Sequence, residues 1–235
     1  MKQLILLLVV ILAIIKNSFS NGGFTCNNFL LNAYLYILLG FILIASAVDI
    51  YSHYNIPSLY NIYKSRGTRL LFALLITIGL LMAVITMPPK FLIGKHILWI
   101  SWVAVLGYVL YPLAQLNRRI FEQTKILVLS YMALLTMITF KWPHKISLTW
   151  GRTLLMLLMV LILVRIVGFF RPYTSQTHFM ISYAAVVLFS FFMLYDTKQL
   201  IVKAKKCVKA DYINDSLGVF LDGMNLFVNM FHLRR

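Results

Sequence analysis

A bundle of membrane-spanning α-helices is the fold class this sequence predicts, and three observations carry it. Of the 235 residues, 61% are hydrophobic and only 12% are charged, whereas soluble domains hold about 45–50% apolar residues. Apolar runs close to the about 20 residues that cross a bilayer recur along almost the whole length. The connections between them are too short to hold a soluble domain, so a single membrane domain accounts for the chain. Its formal net charge is +16, but the basic residues sit in short loops between spans and form no continuous face. Anionic lipid headgroups explain them more simply than nucleic acid does.

Residues 1–28 form an extra apolar segment ahead of the main domain. Leu4 to Ile15 is uninterrupted after Lys2, and Ser18 and Ser20 are small residues at a spacing a signal peptidase accepts. The segment is either a cleaved signal, leaving Asn21 first, or a retained short helix. Residues 29–235 carry the rest. The first full span is expected at about Phe29 to Ile50 and ends on Asp49, placed in water at the interface. A second, about Leu70 to Met87, follows the basic Lys64, Arg66 and Arg69. Pro88 and Pro89 stop it, because proline lacks the N–H a continuing helix needs, and Lys90 stands just beyond. The third, about Ile97 to Leu116, contains Gly107-Tyr-Val-Leu-Tyr-Pro112.

Arg118, Arg119, Glu122 and Lys125 lead into a fourth span, about Ile126 to Phe140, with Trp142 as an interfacial anchor. The fifth, about Leu154 to Phe170, includes Arg165, which either extends its head to the interface or joins a buried ion pair. The sixth, about Phe179 to Leu200, carries Asp196. A lysine-rich loop then leads to the last helix, about Tyr212 to Leu233, which carries Asp222. Basic residues divide almost evenly between the two faces of such a bundle. Only the group Lys198, Lys203, Lys205, Lys206 and Lys209 leans, toward the cytosol. The two cysteines, Cys26 and Cys207, make no CxxC or zinc spacing, and on sequence alone set no redox compartment.

Asp196 and Asp222 are the strongest functional candidates. A carboxylate inside a span costs about 2.5–3.5 kcal/mol even on lenient insertion scales unless it is protonated, paired or wet. In the last helix Asp215, Gly218, Asp222, Asn225 and Asn229 repeat at three- and four-residue intervals and share one face. Lipid would penalise that face, so the helix is expected to be central, with Gly218 permitting a close approach. His178, Ser182, Ala185, Phe189, Met193 and Asp196 share a face of the sixth span. The two faces can meet carboxylate to carboxylate.

These residues resemble the transmembrane Bax-inhibitor-motif family, which includes Bax inhibitor, the Lifeguard proteins and the Golgi anti-apoptotic proteins. The resemblance rests on Leu194-Tyr-Asp-Thr-Lys-Gln-Leu-Ile201, Lys203-Ala204, Asp211-Tyr-Ile213, Phe220-Leu-Asp222 and Asn225-Leu-Phe227, in the family's order. Gly107 to Pro112 looks like its third-helix segment, and Phe29-Leu-Leu-Asn-Ala-Tyr34 more weakly like the start of its first helix. The resemblance implies seven helices, six around a more central seventh, and a pH-sensitive calcium leak tied to calcium stores and suppression of cell death. It implies that Asp196 and Asp222 hydrogen-bond to each other and that a basic residue after the second helix latches them. Lys90 stands where the family has arginine, a point charge in place of a bidentate fork. Gly223 and Gly218 also depart from common family residues.

Calcium takes about six to eight oxygen ligands. Asp196 and Asp222, with Asn225, Asn229, Asp215 and Ser182 along the path, suit weak, transient calcium and hence passage of a permeant ion more than storage. No cofactor and no enzymatic chemistry are expected. The partners expected are calcium, anionic lipids, and cell-death regulators or calcium-release channels; the location implied is the endoplasmic reticulum or Golgi. Two alternatives compete. An intramembrane aspartyl protease would use the same aspartates, but Phe220 stands where Gly-x-Gly-Asp wants its second glycine, and no Pro-Ala-Leu follows. A non-conducting scaffold for cell-death regulators would need neither carboxylate to move.

Overall fold

The computed structural model describes residues 2–20, 22–57, 68–171 and 173–235. Lys64, Arg66 and the alternative first residue Asn21 lie outside them. Among the described residues there are eight α-helices: α1 Lys2–Ser18, α2 Phe29–His53, α3 Thr68–Thr86, α4 Leu92–Leu116, α5 Arg118–Lys141, α6 Trp150–Phe170, α7 Ser175–Lys205 and α8 Tyr212–Arg234. A two-residue hairpin, Phe19–Ser20 with Gly23–Phe24, joins α1 to α2. Gly22 turns it at a φ of 76°, a conformation that costs glycine little. Among the described residues five helices are long and apolar enough to cross a membrane: α2, α4, α5, α6 and α7. α1 and α3 are shorter apolar helices among the described residues. The chain is an all-α membrane protein.

The helices run longer than the apolar segments that announce them. α4 begins at Leu92, α5 at Arg118 and α7 at Ser175, each taking in a polar turn that hydropathy alone assigns to a loop. Helical backbone satisfies its own hydrogen bonds, so a span gains nothing by unwinding at the edge of the hydrocarbon. α4 also continues through Pro112 to Leu116.

The chain divides into two units. The first is Met1–Arg118 with Lys206–Leu217, and the second is Arg119–Lys205 with Gly218–Arg235. In the first, α2 packs along α4 where Gly107 faces Ala47. A Cβ on Gly107 would sit 2.7 Å from the Ala47 Cβ, closer than carbon atoms approach, so only glycine permits this spacing. α1 lies against α2 with Val10, Ile14 and Ser18 buried. In the second unit α6 packs on α7, while almost all of the rest of the α6 surface is apolar and exposed, as lipid requires.

α8 is the most thoroughly buried helix. Val219, Leu226 and Phe231 are fully buried, Phe220 nearly so, and Asp222 and Asn229 are each 5% exposed. Of the polar stripe, Asp222 and Asn229 are buried and Asp215, Gly218 and Asn225 half-buried, while Asn214, Leu221 and Val228 are half-buried and His232 exposed; burial on most of its surface offsets the cost of two carboxylates and three asparagines in one helix.

Candidate carboxylate pair and its surroundings

In the second unit the expected face of α7 is buried: Ser182, Ala185, Phe189 and Met193 are all buried, with Asp196 half-buried one turn on. From α8, Asp222 meets Asp196, with the two carboxyls placed to hydrogen-bond to each other. Two carboxyl groups can do this only if a proton lies between them. The remaining Asp222 oxygen, Oδ2, is buried with no hydrogen-bond partner among the described residues.

Gly218, one turn before Asp222, is what lets Asp196 in. A Cβ at that position would lie 2.9 Å from Asp196 Cγ and 3.4 Å from its Cβ, and closer still to Oδ2. Tyr195, the neighbour of Asp196, uses a second glycine in the same way, its hydroxyl lying against Gly151 at the start of α6.

The other candidates from the polar stripe have local duties. Asn225 Nδ2 donates to the Leu221 carbonyl at 2.8 Å, and Asn229 Nδ2 to the Asn225 carbonyl at 2.8 Å. Asn229 Oδ1 accepts from Arg165 at 2.6 Å, and no acidic side chain ion-pairs with Arg165 among the described residues. Asp215 closes the start of α8: its Oδ2 accepts from the Asp211 N–H at 3.0 Å, while Asp211 Oδ1 accepts from Asn214 N–H at 3.3 Å. This is a reciprocal cap that satisfies otherwise orphaned donors. His178 is exposed in the first turn of α7, its ring 5.9 Å from that of Tyr173.

In the first unit, Lys90 is exposed between α3 and α4, its ammonium 5.0 Å from the Phe91 ring centroid. The lysine that is buried there is another one. Lys95 is fully buried and places Nζ 2.6 Å from Asp211 Oδ2 and 2.7 Å from the Met87 carbonyl. Nothing in the spacing marks it, because its partner lies 116 residues away. Asp49 stays about a third exposed, as a helix-end carboxylate in water should, and is paired there with Arg118.

Around the same end of α8, Tyr212 donates to the Thr25 carbonyl and accepts from Asn32 Nδ2 at 3.2 Å. Tyr36 Oη lies 2.7 Å from His96 Nε2, whose Nδ1 is 2.7 Å from the Leu92 carbonyl. Since a carbonyl can only accept, Nδ1 carries the ring proton and Nε2 accepts from tyrosine in the neutral imidazole. Cys26 and Cys207, which have no readable spacing, form a disulfide. Among the described residues no group of three or more His, Cys, Asp or Glu side chains is arranged to hold a metal ion. A carboxylate pair alone falls far short of a storage site.

Comparison with known proteins identifies the family. Residues 26–234 match the family described as inhibitor of apoptosis-promoting Bax1. Over 145 residues, 58% of this chain, the sequence is 26% identical to the growth hormone-inducible transmembrane protein of Rattus norvegicus. The matched part spans 42% of that relative's length. With the family match running from three residues before α2 to the end of α8, the chain belongs to the Bax inhibitor family of multi-pass membrane proteins.

Proposed function

We propose that this protein is a pH-sensitive calcium leak of an intracellular membrane, either channel or exchanger, and that it lowers stored calcium and suppresses cell death. The observation that carries the reading is the hydrogen-bonded Asp196–Asp222 pair, which joins α7 to α8 beside Gly218. A proton shared between two carboxyls is a reversible fastener. Its loss leaves two like charges in contact where hydrocarbon and protein exclude water, and they repel strongly. Separation at that point admits water, and the charges that cause it attract a divalent cation.

Membership of a family described as inhibiting apoptosis supports the cell-death role. Endoplasmic reticulum or Golgi is the proposed site of action, and cell-death regulators or calcium-release channels are the proposed partners. The test is purified protein in liposomes loaded with a calcium indicator, assayed from acid to alkaline pH. Calcium entry that rises with pH supports the leak. Protein-dependent entry absent at every pH excludes it and leaves a non-conducting scaffold.

A further inference from the structure

We propose that the end of the second unit built around Arg165 binds the phosphate of an anionic phospholipid headgroup. Arg165 lies five residues before the end of α6 at Phe170, which at 1.5 Å per residue is about 8 Å inside that end. Asn229 is equally far from the end of α8 at Arg234. This is the depth at which headgroups meet acyl chains. A guanidinium there needs a counter-charge, and Asn229 Oδ1 gives it one neutral acceptor at 2.6 Å. Five N–H donors exceed one amide oxygen.

No acidic side chain faces Arg165 in an ion pair among the described residues. His232 lies within electrostatic reach of Arg165, Arg235 and His178. Arg234 donates to Gln123 at 2.8 Å, and Glu122, the acid beside that glutamine, holds Lys125 at 2.6 Å. The place has a defined wall. Tyr173 folds back over Gly168, where a Cβ would meet its ring at 2.5 Å; its hydroxyl donates to the Val164 carbonyl at 3.0 Å, and its ring faces His178. Arg165, Arg235 and His178 thus act on His232 at this end, and Arg165 itself has Asn229 as its partner. The planar fork matches two phosphate oxygens at once, and a phospholipid brings that phosphate to this depth with its acyl chains already in the bilayer.

The inference is independent of the calcium reading. Its test is native mass spectrometry of the full chain purified from vesicles of phosphatidylcholine with about one-fifth phosphatidylglycerol. Wild-type protein should keep bound phosphatidylglycerol, and Arg165→Gln should keep about tenfold less, the loss of one charge-assisted contact. Arg165→Lys, which retains charge without the fork, should fall between. Lys203→Gln with Lys205→Gln, removing two charges at the other end of α7, should bind as wild type does. Equal retention by Arg165→Gln overturns the proposal, as does equal loss in the Lys203/Lys205 variant, which would make the effect one of net charge. Displacement of the lipid by millimolar inorganic phosphate would overturn the lipid as occupant. Should Arg165→Gln fail to elute as a single folded species, His232→Gln carries the same test, with reduced retention expected and unchanged retention overturning it.

Discussion

Lys95, fully buried on α4, places its ammonium 2.6 Å from Asp211, the residue that caps α8. One charge thus serves two elements: the carboxylate that neutralises the lysine with one oxygen accepts the Asn214 N–H with the other. Asp211 is still 16% exposed, so part of its hydration survives. Breaking a buried pair by removing one partner costs about 3–5 kcal/mol, and that residual hydration puts this one near the lower end. Lys95→Met should therefore lower the melting temperature in detergent markedly, and adding Asp211→Asn should restore part of the loss. Lys90→Ala, at an exposed position, should leave melting unchanged. A double variant no more stable than Lys95→Met would show that the two residues act separately.

The Cys26–Cys207 disulfide ties the segment before α2 to the segment before α8, so both lie on one face of the membrane. Disulfides persist in oxidising compartments, whereas the lysines around Cys207 lean toward the cytosol. A covalent bond is the stronger indicator, because positive-inside bias is a statistical preference that single loops often violate. Protein extracted under alkylating, non-reducing conditions should take up no maleimide-polyethylene glycol, and two equivalents after reduction. Two accessible thiols before reduction would place this face in the cytosol.

How much of this was legible in the sequence depends on the range of each interaction. The Asp196 and Asp222 faces could be read because helical periodicity is local: Asp222 sits on a stripe of small and polar residues, and Asp196 on a face that also carries His178, Ser182 and Ala185. Gly218 was legible for the same reason. The Asp211–Asp215 cap was legible in principle, since aspartates bracketing a helix start are a local signal, yet the stripe drew Asp215 into the candidate path. Lys95–Asp211, Arg165–Asn229 and Cys26–Cys207 are separated by 116, 64 and 181 residues. Such pairs are chosen by packing between helices, and a single sequence carries no periodicity that points across that distance. Lys90 stands after Pro88 and Pro89 where the family resemblance puts a basic residue, whereas nothing local distinguishes Lys95 from an ordinary residue near a helix start.

Gly218→Ala tests the close approach itself. The added methyl would lie 2.9 Å from Asp196 Cγ and must push either the side chain or the helix away. Overpacking of this kind costs about 1–3 kcal/mol. The variant should melt earlier and leak calcium at a pH where wild-type protein is closed, because the displaced carboxyls no longer share their proton. A variant that melts earlier but keeps the wild-type pH profile would show that Gly218 serves packing alone.

The decisive prediction concerns the two aspartates as one unit. Their hydrogen bond requires a proton, and the unpartnered Oδ2 of Asp222 leaves a full lone pair facing buried surroundings. While the proton is present the pair draws α7 and α8 together. When it leaves, two negative charges face each other at hydrogen-bonding distance, and the unit must open or take in a cation. Acid therefore closes the leak and alkali opens it. Asp222→Asn can still donate a hydrogen bond to Asp196 but cannot lose a proton, so calcium flux in liposomes should become nearly flat across pH and stay low. Asp196→Asn should do the same from the other side. The double variant should add little to either change, since interacting residues that act as a unit are not additive. Circular dichroism and melting should confirm that each variant folds, because asparagine keeps both the shape and the hydrogen-bonding capacity of the acid. If both single variants retain the wild-type dependence of flux on pH, the pair only holds the helices together and the gate lies elsewhere.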